Sequence, residues 1–333
     1  MLRSETAQAP ERMAAALRGL RLYQQAPRPL PPAPMPEMAR VGRACIRDYG
    51  GDGNGGAPVL FVPSLINPPD VLDLDDERSL LRWLATCGVR PLLLDWGAPP
   101  ATERDLTIAG HVEALLLPLI AALGERPVLA GYCLGGTMAL AAAQLAPIRA
   151  LALIAAPWRF ARYPAEDRAA LADLWRAAGP ATDALGLLPM DVLQAAFWRL
   201  DPARSVAKFE RLGSAPPDQR ALGAFVRLED WANDGPPLTR GAAHDLFDLF
   251  YADDAPGGGR WRVGGAVIAP DRLDVPVLEI ASTTDRIVPQ ASAAGIGTRT
   301  DLALGHVGMI VGGRARSHLW KPLAAWLCDV TRS

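Results

Sequence analysis

The sequence predicts an α/β fold with a mostly parallel sheet, helices on both faces and a helical block inserted late in the chain. Three observations carry this. Short apolar runs alternate with helix-period segments from residue 57 to 157, the pattern of successive βαβ units. The alternation stops after Pro157 and resumes near Val275, leaving about a hundred residues of helical pattern between. One apolar run, Val128 to Ala130, enters Gly131-Tyr132-Cys133-Leu134-Gly135-Gly136 and continues directly as an Ala/Leu-rich helix, the signature of a strand turning sharply into a helix.

In chain order, residues 1–25 read as one amphipathic helix, with Met13, Leu17, Leu20 and Leu22 on its apolar face. Pro27 to Pro36 is too rich in proline for helix or central strand and reads as an extended linker. Arg43 to Tyr49 reads as a strand closed by the glycine-rich turn Gly50 to Gly56. Strands follow at Pro58–Val62, Pro91–Leu94, Pro127–Ala130 and Ala150–Ala155, with helices at Asp76–Cys87, Leu106–Leu123 and Leu134–Leu145 between them. The acidic run Asp70, Asp73, Asp75, Asp76 and Glu77 suits the first turn of a helix starting near Asp76 better than a metal site. The later helices are expected at Ala165–Ala178, Met190–Leu200, Ser205–Leu212, Gln219–Trp231 and Gly241–Tyr251, punctuated by prolines. Trp261 to Ile268 suggests a hairpin, Val275–Ile280 and Thr298–Ala303 the last strands, and Arg314–Cys328 the closing helix. The expected organisation is an amino-terminal helix and linker (1–40), an α/β core (41–157 and 256–333) and a helical cap (158–255).

Composition narrows the function classes. Of 333 residues, 50% are hydrophobic and 21% charged, and the formal net charge is −2. That balance offers no electrostatic basis for binding nucleic acid or an anionic membrane. The four cysteines, Cys45, Cys87, Cys133 and Cys328, lack CxxC spacing, so neither a disulfide framework nor a zinc site is expected. The amino end shows no secretory pattern and no stretch is long enough for a membrane span, so a cytoplasmic protein is expected.

The turn after Val128–Ala130 supplies the chemistry. A residue at such a bend is held at the top of the sheet beside the positive end of the next helix, where backbone N–H groups and the dipole favour a thiolate. Cys133 is therefore the candidate nucleophile. A nucleophile needs a base, and the base needs an orienting group. In α/β-hydrolases these follow in the order nucleophile, acid, histidine, each beyond a strand. Cys133, Asp285 and His306 occur in that order. His111, His244 and His318 lie within predicted helices and compete poorly. An oxyanion hole would take one N–H from Leu134 and a second from the loop Pro63-Ser64-Leu65-Ile66-Asn67, with Ile66 the favoured donor. No metal and no resident cofactor are expected.

Several segments carry a resemblance. Val62-Pro63-Ser64-Leu65-Ile66-Asn67, Leu94-Asp95-Trp96-Gly97, Gly131-Tyr132-Cys133-Leu134-Gly135-Gly136, Asp285-Arg286-Ile287-Val288-Pro289 and Gly305-His306-Val307-Gly308 are similar to those of polyhydroxyalkanoate synthases. Ala196 to Pro202 and Glu229 to Asp234 echo segments of the same family. Length and order are nearest to the short catalytic subunits of the two-component class. The resemblance implies a Cys133–Asp285–His306 site polymerising 3-hydroxyacyl-CoA into polyester with release of CoA. It also implies an accessory subunit or a homodimer formed through the cap, and a location at polyester granules. Asp285 could orient His306 or deprotonate the incoming hydroxyl. Two alternatives stand beside this reading: a hydrolase with a Cys nucleophile (thioesterase, esterase or polyester depolymerase), and an inactive granule-associated or regulatory relative.

Overall fold

The computed structural model describes residues 2–6, 9–50, 57–200, 202–215 and 217–332. The expected turn at 51–56, together with Asp201 and Pro216, lies outside the described residues. An eight-stranded sheet runs in the order β1-β2-β4-β3-β5-β6-β11-β12. Its strands are β1 (Glu37–Val41), β2 (Ala44–Asp48), β3 (Val59–Val62), β4 (Pro91–Asp95), β5 (Val128–Tyr132), β6 (Ala150–Ile154), β11 (Val277–Ser282) and β12 (Thr298–Leu302). From β4 to β12 all neighbours pair in parallel, while β1 and β2 form an antiparallel hairpin added to β4. β1 lies partly in the stretch expected as linker, where its open edge position tolerates exposed polar residues that hide the strand pattern.

The inner parallel strands β3, β5 and β6 are fully buried and apolar, as strands covered on both faces must be, whereas the edge strand β12 is polar and largely exposed. Two apolar cores result. One packs around Leu60, Val62, Leu94, Met138 and Leu153, the other around Phe61, Leu93, Ala130, Ile154 and Ile280. Consecutive residues of each strand thus feed opposite cores, the period-two consequence of the pleat.

The helices in chain order are α1 (Leu2–Thr6), α2 (Pro10–Gln25), α3 (Leu80–Thr86), α4 (Ile108–His111), α5 (Leu117–Ala122) and α6 (Leu134–Leu145). There follow α7 (Ala165–Leu185), α8 (Met190–Leu200), α9 (Pro202–Ser214), α10 (Gln219–Asn233), α11 (Arg240–His244), α12 (Gly308–Val311) and α13 (Lys321–Arg332). α7 through α11 lie between β6 and β11 in the chain, where the all-helical block was expected. That block also contains a two-residue antiparallel pair, β7 (Leu187–Leu188) with β8 (Leu238–Thr239). A hairpin, β9 (Arg262–Val263) with β10 (Ala266–Val267), occupies the predicted place.

Three local expectations are corrected. The amino-terminal segment is two helices, and α2 buries Ala15, Ala16 and Gly19 while Leu17 is 48% exposed. Small residues form the face because α2 crosses α9 at backbone contact: a Cβ on Gly19 would stand 1.9 Å from the Phe209 carbonyl oxygen. Second, α3 starts at Leu80 with Ser79 as its cap, its side chain accepting from the Arg82 N–H at 3.0 Å. The preceding acids do other work: Asp75 accepts from the Glu77 and Arg78 N–H groups, closing a turn, and Asp73 pairs with Arg82 at 2.7 Å. Third, α7 continues through Pro180 to Leu185 rather than ending near residue 178.

Candidate active site

β5 delivers Cys133 to the carboxyl edge of the sheet, and α6 starts at the next residue. The chain reverses so sharply that Cys133 has φ 56° and ψ −134°, a strained conformation for a residue with a side chain. The flanking glycines make the turn possible. A Cβ on Gly135 would lie 2.2 Å from the Val62 oxygen and 2.4 Å from that of Pro63, and one on Gly131 would lie 2.4 Å from the Gly136 Cα. α6 therefore starts pressed against the ends of both β3 and β5: a side chain at Gly135 would push it off β3, and one at Gly131 would push it off β5.

The register of neighbouring strands brings the other two residues to the same edge. Ser282 at the end of β11 pairs with Leu302 at the end of β12, and Asp285 and His306 lie in the loops just beyond. His306 Nδ1 and Asp285 Oδ2 are 2.6 Å apart, and both residues are buried. The other carboxylate oxygen of Asp285 accepts from the Ile287 and Val288 N–H groups at 2.8 and 3.0 Å. One oxygen is thus anchored to the loop and the other is free to hold the imidazole. Burial opposes charge on His306, but the Asp285 carboxylate and the Cys133 thiol beside it prevail and raise its pKa above the usual imidazole range. Since Nδ1 faces Asp285, Nε2 is the nitrogen left for the thiol.

Of the expected oxyanion donors, Leu134 is the first residue of α6, so its N–H has no acceptor within the helix. The Ile66 N–H donates to Ser64 Oγ at 3.1 Å, which commits that donor within its own loop. Ile66 nevertheless lines the cavity. The loop is held from behind by Trp96, whose indole N–H donates to the Pro63 oxygen at 3.0 Å.

Cys133, Asp285 and His306 open into a cavity of about 410 Å³. Its far wall comes from the helical block: Trp198 of α8, Lys208 and Arg211 of α9, and Phe225 and Glu229 of α10. Lys208 pairs with the buried Glu229 across α9 and α10. α10 is also tied to the loop after β3, through the Trp231 indole N–H on the Pro68 oxygen at 2.9 Å and Asn67 on the Asp234 oxygen at 3.3 Å. Sequence reasoning singled out neither the Lys208–Glu229 pair nor the position of Tyr132. Tyr132 stacks on His306 with ring centroids 5.0 Å apart. Its place beside the candidate nucleophile in the elbow motif was the one available signal. His111, His244 and His318 are not among the residues lining the cavity. Among the described residues no group of three His, Cys, Asp or Glu side chains could hold a metal ion, and no helix is long and apolar enough to cross a membrane.

Solved structures share the architecture. A non-heme bromoperoxidase, BpoC, from Mycobacterium tuberculosis aligns over 87% of this chain and 97% of its own with TM-score 0.57 and 16% identity. VinJ aligns over 90% and 100% with TM-score 0.53 and 15% identity. This is an α/β-hydrolase-fold protein, with a cysteine at the strand-to-helix elbow. No family model matches the chain. Curated proteins named poly(3-hydroxyalkanoate) polymerase subunit PhaC do: that of Haloferax mediterranei is 27% identical over 293 residues, 82% of this chain and 58% of that protein. Those of Synechocystis sp. and Allochromatium vinosum are 28% and 29% identical, over 82% and 81% of this chain and 78% and 80% of theirs. The chain spans about three-fifths of the length of the Haloferax and Haloarcula relatives, at 58% and 61%. Over about four-fifths of its length the sequence is thus similar to polyhydroxyalkanoate polymerase subunits.

Proposed function

We propose that the protein is an acyltransferase that polymerises 3-hydroxyacyl-CoA into polyhydroxyalkanoate through an acyl group carried on Cys133. The observation that supports this most is the hydrogen-bonded Asp285–His306 pair beside a cysteine, not a serine, at the elbow. The similarity to poly(3-hydroxyalkanoate) polymerase subunits supports the substrate class.

In the proposed reaction His306 takes the Cys133 proton on Nε2, and the thiolate adds to the thioester carbonyl. The oxygen that becomes negative is met by the Leu134 N–H at the start of α6. The tetrahedral species collapses, the bond to CoA sulfur breaks, and His306 returns the proton to the departing thiol. The acyl group now sits on Cys133 as a thioester. A serine would have formed an oxygen ester and dissipated several kcal/mol of acyl-transfer potential, leaving a poor donor to the next hydroxyl. A second acyl unit or the growing chain presents its 3-hydroxyl, His306 removes that proton, and an ester forms as the Cys133 thiolate leaves. The Asp285 oxygen on Nδ1 favours an orienting role for that carboxylate over direct deprotonation of the hydroxyl.

Residues 158–255 act in this reading as a cap that excludes water, because water and a chain-end hydroxyl are equivalent second nucleophiles. An accessory subunit or a second copy binding this block would favour its opening, and the protein would work in the cytoplasm at the surface of polyester granules. Incubation with 3-hydroxybutyryl-CoA tests the proposal, with CoA release, polymer and free hydroxy acid followed together. Polymer matching CoA release is expected. Free 3-hydroxybutyrate in equal amount would make the protein a thioesterase, and no CoA release with an intact fold would make it an inactive relative.

A further inference from the structure

The structure assigns Tyr132 as a positioning residue that fixes the base His306 from the strand carrying the nucleophile. This rests on the proposed Cys133–His306 chemistry and goes beyond it by naming what holds the imidazole in place besides Asp285. The Tyr132 ring lies against the His306 ring, centroids 5.0 Å apart and planes within 24°. Its hydroxyl donates to the His306 main-chain oxygen at 3.2 Å. Asp285 Oδ2 occupies Nδ1 at 2.6 Å. The histidine is therefore held at its backbone, at one ring face and at one ring nitrogen, which leaves Nε2 with a single direction.

A buried tyrosine hydroxyl needs an acceptor, and here that acceptor is the main chain of the proposed base itself. An aliphatic side chain could occupy the space but would offer neither a flat face nor a donor. Burial also keeps the phenol protonated, so the donor persists across the working pH range. Tyr132 and Cys133 share a peptide bond at the end of β5. A displacement of that strand end consequently carries nucleophile and base together, and their separation is preserved while the strained elbow moves.

The test is the rate of Cys133 alkylation by iodoacetamide at pH 7 and pH 10 in the full chain, for the wild type, Y132L, Y132F and H306A, with circular dichroism as the check on folding. Y132L is expected to react about tenfold more slowly than wild type at pH 7, the order of loss expected for a misplaced base. The rates should converge at pH 10, where hydroxide removes the need for the imidazole. Y132F keeps the ring stack and should recover to within about threefold of wild type at pH 7. A folded Y132L that reacts at the wild-type rate at pH 7 overturns the inference, and so does one that is equally slow at both pH values, since that is a change of access. Should Y132L fail to fold, proton NMR of the wild type decides. The His306 ring protons, shielded by the stacked phenol, should lie upfield of those of exposed His318, and resonances at the unstacked position overturn the assignment. H306A separates the two levels: unchanged alkylation there removes the proposed base itself, whereas slow H306A with normal Y132L removes only the role of Tyr132.

Discussion

Cys133 carries the heaviest demand of any single residue, since it holds a strained backbone and, in the proposed reaction, the acyl group. Cys133→Ala should abolish both CoA release and the acyl adduct, and intact-protein mass spectrometry after substrate should find no mass increase; an adduct persisting on the variant would move the nucleophile elsewhere. Cys133→Ser should form the adduct slowly and polymerise poorly. At His306 the sign of the pH dependence follows from the raised pKa. The folded state binds this proton more tightly than the unfolded chain, whose imidazole titrates near its ordinary value of about 6.5. The stabilisation is therefore complete below about pH 6.5 and is lost as pH rises through the folded value. Asp285→Asn, which removes the carboxylate charge, should lower the melting temperature most in the acidic part of that range, with the gap from wild type closing on the alkaline side. A gap that widened with rising pH would contradict the assignment. Cys133, Asp285 and His306 were legible in the sequence because chain order and strand-end placement are one-dimensional properties. Tyr132 was not, because its stack on His306 exists only after the end of β5 meets the loop beyond β12; the Ser64 acceptor for the Ile66 N–H is a two-residue contact within one loop, a local turn that the sequence reading passed over.

Between elements, two close crossings govern the architecture. At the elbow, Gly135→Ala would drive a methyl group into the Val62 and Pro63 oxygens, both backbone atoms that cannot swing aside. A loss of about 3 kcal/mol or more is expected from such overpacking, measured by urea denaturation; a stable, active Gly135→Ala protein would mean that β3 and α6 are not so close. The second crossing joins α2 to α9, where a Cβ on Gly213 would stand 1.9 Å from the Ala15 oxygen. Arg12 with Glu210 at 2.8 Å, Arg28 with Asp230 at 3.1 Å and the Tyr23 hydroxyl on Asp230 at 2.7 Å continue the attachment along α9 and α10. Those helices wall the cavity, so the amino-terminal arm braces the block over the site. Gly213→Val should release the arm, making the chain near Gln25 to Pro29 newly sensitive to protease while the central sheet stays folded; unchanged cleavage would show that the arm is held by its ion pairs alone. Helical periodicity located α2, but its buried face was misjudged because apolar side chains signal a buried helix face in sequence, whereas contact at the backbone selects glycine and alanine.

For the molecule as a whole, the helical block and the sheet edge enclose a cavity that, in the proposed function, a long acyl-CoA and a growing polymer would both enter and leave. In the proposed function this block opens and closes, and activity of the chain alone should be low, with a lag, and rise with an accessory subunit or self-association. Pro180 lies inside α7, so limited proteolysis should cut first between Gly213 and Asp218, where α9 gives way to α10. Substrate or partner should suppress those cuts. Equal cleavage with and without ligand, together with lag-free turnover, would show a rigid roof.

The sequence by itself determined the alternation of strands and helices, the interruption at Pro157, the elbow with its glycines and the order of Cys133, Asp285 and His306. All of these are written in local spacing: apolar periods, the absence of side chains at a sharp bend, and position just after a strand. Tertiary structure alone decided which loops meet at the carboxyl edge of the sheet, that Asp285 turns one oxygen to His306, and that Tyr132 lies on the imidazole. These depend on strand order and register, which bring Tyr132 beside His306, 174 positions further along the chain, and no local pattern encodes that pairing.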